Sequence, residues 1–250
     1  MTTHLRRRTC PLLLLLAAGA CDSLTGPDDA IAIPLQEQDG WETASLESVG
    51  LDPDPFRALL TLIDRTQDHF IHGILVAKND RLVFEEYWPG VDMEDIGLNP
   101  VQRPFGYNTL HYVASVSKSI TSALVGIALD RGLLGSVDDP LFRYFPDYGE
   151  LKTVENEAVT LRHLLTFSSG FDWNEHVYGF DDPRDSHFQM FATEDPVRML
   201  LSRPMVRAPG AAFHYNSGDT NLLGEIVRRE SGAETLVAFA HEVLFGPLQI

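Results

Sequence analysis

From Ser115 to about Asp130 the chain opens as Ser-Val-Ser-Lys. It then places Ile120, Leu124, Ile127 and Ala128 at helical spacing, with Val125 and Leu129 widening the apolar stripe. That width predicts a helix set into a hydrophobic core. Gly132 follows Arg131 where a left-handed residue closes a helix. Ser115 and Lys118 stand three apart at the opening, so they share a face. At the helical rise their backbones are about 4.5 Å apart along the axis. A neutral amine beside a hydroxyl can serve as the base that makes an alkoxide nucleophile. The positive end of the helix favours the developing negative charge, and a lysine opening a core helix is expected to be more desolvated than one on an exposed helix. The segment alone also allows a plainer reading, in which the serines cap the helix and Lys118 faces solvent.

Two further segments follow in order. Leu161-Arg162-His163-Leu164-Leu165-Thr166-Phe167-Ser168-Ser169-Gly170-Phe171-Asp172-Trp173 is the first. Pro209-Gly210 and then Phe213-His214-Tyr215-Asn216-Ser217-Gly218-Asp219-Thr220-Asn221-Leu222-Leu223-Gly224 form the second. Together with His111 to Leu124 they resemble the ordered signatures of the serine beta-lactamase-related hydrolases. That group includes class C beta-lactamases, D-alanyl-D-alanine carboxypeptidases, esterases and 6-aminohexanoate-dimer hydrolases. The resemblance runs from about Asp52 to the last residue. It implies an α/β sheet domain with an inserted all-helical domain, the beta-lactamase/transpeptidase-like fold, and a site between the two.

By the same resemblance Ser115 is the nucleophile, Lys118 its base partner and Tyr215 the second proton carrier. A third group is needed because one proton leaves the serine and another must reach the leaving group. An ammonium beside a phenol favours its phenolate. Without the family context Tyr215 reads as a buried aromatic with a hydrogen-bonded hydroxyl. Class C beta-lactamases carry tyrosine, any residue, then asparagine. Here the order is Tyr215-Asn216-Ser217, with a hydroxyl where the amide stands in those enzymes. A hydroxyl offers one donor where asparagine offers two donors and an acceptor. That difference points away from beta-lactam substrates and toward the esterase and 6-aminohexanoate-dimer hydrolase branch. Ser217 and Asn216 are the expected substrate contacts. Trp173 is the one acyl-pocket candidate kept from a set that also holds Tyr178, Phe180 and Phe188, each of which also reads as packing.

The family completes its site with a Lys-Thr-Gly or His-x-Gly type triplet on an edge strand. No such triplet follows Tyr215. The chain is therefore read as C-terminally truncated, with the triplet, one wall of the groove and further strands beyond residue 250. A chain ending there is not expected to fold stably alone. No G-x-S-x-G elbow is present, which separates it from the α/β-hydrolases.

At the other end, Arg6-Arg7-Arg8 precedes Leu12 to Leu16 and Ala17-Ala18-Gly19-Ala20-Cys21. A basic start, a short apolar run and small residues read as a secretory signal over residues 1–20. Cys21 after Ala18-Gly19-Ala20 resembles a bacterial lipobox, which implies an acylated Cys21 and a membrane-anchored, exported protein on the periplasmic face. Residues 21–51 are polar and acidic, the composition of a tether, and residues 52–250 form the hydrolase domain. Cys10 would be lost with the signal, so no internal disulfide is expected. The chain holds 19 basic and 36 acidic residues. That excess excludes nucleic acid as a partner, which needs a basic footprint. His111, His163, His176, His187 and His214 lack metal-ligand spacing, and a serine–lysine mechanism needs no metal or cofactor.

Along the chain, residues 55–69 read as an amphipathic helix carrying Leu59, Leu60, Leu62 and Ile63. Ile71 to Ala77 and Leu82 to Tyr87 read as a hairpin around Asn79-Asp80. Leu75 and Val76 lie on opposite faces, as in a sheet covered by helices. Gly90 to Thr109 reads as a long loop. Leu141, Phe142 and Phe145 should pack inward. Thr160 and Asp195-Pro196 cap short helices. Helices also follow over Leu222 to Arg229 and Glu234 to Leu244, and Tyr215-Asn216-Ser217-Gly218 reads as a turn. The expected activity is hydrolysis of an ester or small amide through an acyl-enzyme on Ser115. D-alanyl-D-alanine carboxypeptidase, class C-like beta-lactamase and a non-catalytic penicillin-binding sensor are the alternatives.

Overall fold

The structure is a computed structural model that describes residues 31–66, 69–94, 99–175, 177–179 and 181–250. The expected signal over residues 1–20 and the expected lipidation at Cys21 lie outside the described residues, as do His176 and Phe180. The chain divides into two compact units, one ending at Thr109 and one running from Leu110 to Ile250.

In the first unit, β2 (Gly73–Lys78) and β3 (Arg81–Tyr87) form the expected hairpin. Asn79 and Asp80 take φ of 55° and 58°. Two positive φ values in a two-residue loop match the twist of the strands, and these residue types tolerate them. The register slips between Val76 and Ala77, a bulge that interrupts alternation. Leu82, Val83 and Phe84 are accordingly buried in succession. β1 (Glu42–Thr43) joins β3 in parallel, giving the order β1-β3-β2. Helix α1 (Asp54–Arg65) packs Phe56 and Leu60 on the same core as Val83 and Phe84, while Leu62 stays exposed.

Three expectations change here. The tether reading of residues 21–51 does not hold at its C-terminal end. Leu46 and Val49 belong to the core of this unit, with Ile31, Ala44 and Leu51 against them. These apolar residues are too widely spaced to register as an element. Residues 90–109 are not simply a loop: β4 (Gly90–Glu94) and β5 (Asn99–Arg103) pair antiparallel. A two-stranded ribbon rests on backbone pairing and needs few core residues, and the buried Asp92 is held by Arg103 at 3.2 Å. Leu75 is 56% exposed, so its face of β2 is uncovered within this unit.

The second unit is helical. α2 (Ser117–Asp130) ends in a Schellman motif: the Gly132 N–H donates to Leu129 and the Leu133 N–H to Ala128, with Gly132 at φ 70°. The core gathers Leu124, Val125 and Ala128 of α2 with Leu141, Phe142, Phe145, Leu161 and Leu164. α3 (Leu161–Leu165), α4 (Ser186–Phe191) and α5 (Pro196–Leu201) are short and capped by Thr160, Asp185 and Asp195 in turn. α6 (Ser217–Ser231) lies against α2 and α3. It starts five residues earlier than the apolar periodicity indicates, because Asn216 caps it: the Asp219 N–H donates to Asn216 Oδ1 at 3.2 Å. The stretch read as a turn at Tyr215-Asn216-Ser217-Gly218 is thus the opening of a helix. α7 (Leu236–Ala240), a wide π-type turn over His241–Phe245 and α8 (Gly246–Leu248) complete the chain.

Candidate active site

Ser115 does not lie in α2 itself. Ala114–Val116 form a tight 3-10 turn ahead of the helix, and Ala114 holds φ at 44°. A left-handed alanine costs about 1–2 kcal/mol, so the turn is strained immediately before Ser115. The i to i+3 relation survives the joint. Lys118 Nζ donates to Ser115 Oγ at 3.1 Å, and the Tyr215 hydroxyl donates to the same oxygen at 2.6 Å. Lys118 Nζ also stands 5.0 Å from the Tyr215 ring centre. Residues a hundred apart in sequence therefore converge on one exposed oxygen. Ser117 is no helix cap: α2 has no side-chain cap, and the Ser117 hydroxyl donates back to the Ala114 carbonyl at 2.7 Å. The two serines of the tetrad have different tasks.

With Lys118 charged and Tyr215 neutral, Oγ accepts from both. Loss of one proton from either partner turns that partner into an acceptor for the serine proton. The arrangement can thus take a proton from Oγ and hold another ready.

Tyr215 is placed by its neighbours. The His214 N–H donates to the Phe167 carbonyl at 2.7 Å. The His214 ring meets the Trp173 carbonyl at 2.7 Å, which makes Nε2 the donor. The Phe167 ring lies 5.2 Å from the Tyr215 ring and 5.9 Å from that of Phe213. Phe167 has φ of 50° just past α3, where glycine is the usual residue, and its N–H and that of Ser168 close a second Schellman motif onto Leu164 and His163.

The expected binding residues are not at a surface. Asn216 is buried and serves as the helix cap, its Nδ2 also donating to Asp219 Oδ1 at 3.0 Å. Ser217 is buried, with its hydroxyl donating to Glu175 Oε1 at 3.0 Å. Trp173 is 3% exposed, packed in the core with the Arg203 guanidinium over its ring and its indole N–H donated to Glu175. The expectation that these three contact substrate is corrected. Each is tied up by the packing that sets α6 in place. His163 is likewise structural, with Nδ1 accepting the Thr160 N–H at 3.2 Å.

Sequence reasoning passed over Glu175, Phe167 and Asp219. Glu175 lies in a stretch without periodicity, where nothing local marks it, and Phe167 belongs to the first resemblance segment, but no local rule sets its ring beside Tyr215. Asp219 sits in the first turn of a helix that begins ahead of its apolar periodicity. Burial pushes its carboxyl well above the ordinary carboxylate range, opposed by a hydrogen bond with Ser169.

Residues 62–250 match the family model described as Beta-lactamase. Over 155 residues the chain is 32% identical to an esterase, EstB, of Burkholderia gladioli, covering 58% of this chain and 38% of that one. It is 28% identical over 149 residues to a beta-lactamase of Escherichia coli K12, covering 60% of this chain and 36% of that one. The chain spans less than two-fifths of the length of these curated relatives. A putative 6-aminohexanoate-dimer hydrolase from Bacillus anthracis aligns in structure with TM-score 0.53 and 21% identity, over 74% of this chain and 46% of that one. EstCE1, a hydrolase with promiscuous acyltransferase activity, aligns with TM-score 0.56 and 20% identity, over 76% and 49%. These neighbours share the beta-lactamase/transpeptidase-like fold, of which the chain covers part. By its ordered signatures, its fold and the family match over residues 62–250, the chain belongs to the Beta-lactamase family.

Proposed function

We propose that this protein is an exported serine hydrolase that cleaves an ester or small amide through an acyl-enzyme on Ser115. The observation that carries the reading is the double approach to Ser115 Oγ, from Lys118 Nζ at 3.1 Å and from the Tyr215 hydroxyl at 2.6 Å. In acylation Oγ bonds to the substrate carbonyl carbon and its proton passes to the Lys118–Tyr215 pair. The carbon–leaving-group bond then breaks as the pair returns a proton to the departing oxygen or nitrogen. Water adds to the acyl carbon, gives its proton to the pair, and releases the acid while Oγ regains a proton. The Ser115 N–H is the proposed first oxyanion donor, and one such donor contributes about 3 kcal/mol in comparable sites.

The esterase reading is supported by Ser217, whose hydroxyl is engaged by Glu175 and so is unavailable to hold a substrate amide. The similarity to EstB points the same way. Cys21 is proposed as a lipid attachment site that holds the protein to the bacterial envelope.

The test is intact-mass analysis of the complete protein after incubation with a fluorophosphonate, a short-chain p-nitrophenyl ester and a penicillin. One covalent adduct is expected, mapped to Ser115 and absent from Ser115→Ala. Lys118→Ala is expected to slow its formation by about a hundredfold, the scale of general-base assistance. Labelling that persists in Ser115→Ala overturns the nucleophile. A stable penicillin adduct without ester turnover favours a sensor.

A further inference from the structure

We propose that Glu175 is the positioning residue for Tyr215, fixing the proton-carrying hydroxyl over Ser115 by clamping the start of α6. The inference rests on the reading of Tyr215 given above. Glu175 receives three donors. Its Oε2 accepts the Ser217 backbone N–H at 3.0 Å and the Trp173 indole N–H, and its Oε1 accepts the Ser217 hydroxyl at 3.0 Å. Bonds to an ionised acceptor are about twice as strong as neutral ones. A carboxylate also suits the positive end of a 15-residue helix.

Ser217 is the first residue of α6 and Tyr215 lies two before it. On the other side of Tyr215, His214 is tied twice, through its backbone N–H to Phe167 and through its ring to Trp173. Tyr215 is therefore strung between two anchors. Trp173 takes part in both, since its carbonyl holds His214 and its indole holds Glu175. Loss of the carboxylate frees one end of the string. A misplacement of about 1 Å at a reacting group costs about a hundredfold in rate, so a clamp remote from the carbonyl carbon registers in kcat. Glutamine replaces it only in part: its oxygen can still accept the two N–H donors, but the charge is lost and its NH2 forces the Ser217 hydroxyl to turn from donor to acceptor.

The experiment compares Glu175→Gln, Tyr215→Phe and the double variant of the complete protein on a p-nitrophenyl ester. In parallel, 3-fluorotyrosine is placed at position 215 and followed by 19F NMR. Glu175→Gln is expected to lower kcat about tenfold or more, within the range that misplacement produces, with KM changed less than about threefold. In the Tyr215→Phe background the same change is expected to move kcat less than about twofold, the non-additivity of groups that act as a unit. The 215 resonance is expected to shift and broaden in Glu175→Gln. Ser217→Ala, which removes one bond of the three, is expected to show the same pattern more weakly and covers the case in which Glu175→Gln does not fold.

An equal loss of kcat in both backgrounds, or an unchanged 215 resonance, overturns the proposal. If Tyr215→Phe alone hydrolyses the ester at the wild-type rate, the proton-carrier reading fails and the catalytic half of this inference falls with it. The 19F resonance then supports or overturns the placement by itself.

Discussion

Asp219 sits at the bottom of the Asn216 cap, fully buried, with its Oδ1 accepting from Asn216. Burial raises its carboxyl well above the ordinary value. The folded state therefore binds this proton more tightly than the unfolded chain does. By linkage, the stability tied to that proton is fully present below the unfolded value near 3.9 and is lost as pH rises through the folded value. An asparagine at this position would keep the shape and carry no charge. Asp219→Asn is thus expected to raise the thermal midpoint relative to wild type at pH 8, with the gain shrinking steadily toward pH 4. Thermal unfolding across that range checks it, and a gain that does not vary with pH refutes the assignment. Phe167 and Ala114 show the same scale at work in the backbone. Both hold left-handed φ values without being glycine, and both flank the reacting groups.

Among the elements, α6 is the one on which the site depends, and its first turn has no room to spare. A methyl group at Gly218 would run into Leu200 and approach Trp173 to 2.9 Å. Gly126, on the exposed face of α2, would meet nothing within 4 Å. One substitution should therefore have opposite signs at the two places. Gly218→Ala is expected to destabilise by about 1–3 kcal/mol through overpacking. Gly126→Ala is expected to stabilise by about 0.4–1 kcal/mol by restricting the unfolded chain. Chemical denaturation of both variants checks the pair. A Gly218→Ala variant as stable as wild type would mean that the Leu200–Trp173 packing is looser than described.

For the whole molecule, the proposed anchor and the acidic surface belong together. The chain carries a formal net charge of −17, and an anionic protein is not drawn to an anionic lipid surface by its charge. The proposed attachment therefore rests on acyl chains at Cys21 and not on charge. Cys21→Ser is expected to move the protein from the membrane fraction to the soluble exported fraction, without altering ester hydrolysis per molecule. Retention of Cys21→Ser in the membrane fraction would remove Cys21 as the anchor.

Local features were legible in the sequence wherever a short-range rule sets the outcome. Ser115 and Lys118 meet because three residues span one turn, and this holds even though Ser115 lies in a 3-10 turn and not in α2. Gly132 closes α2, Asn79-Asp80 turns the β2–β3 hairpin and Asp195 caps α5 for equally local reasons. Tyr215 could be named from the family resemblance, but its distance from Ser115 could not be read from spacing. The tertiary structure alone decided that Asn216, Ser217 and Trp173 face inward, and that Glu175 takes two of its three donors from Ser217, 42 positions away in sequence. It also decided that Leu46 and Val49 belong to a core and not to a tether. The physical reason is the same in each case. A polar side chain becomes structural or available according to which distant donors and apolar groups pack around it, and no local periodicity encodes that.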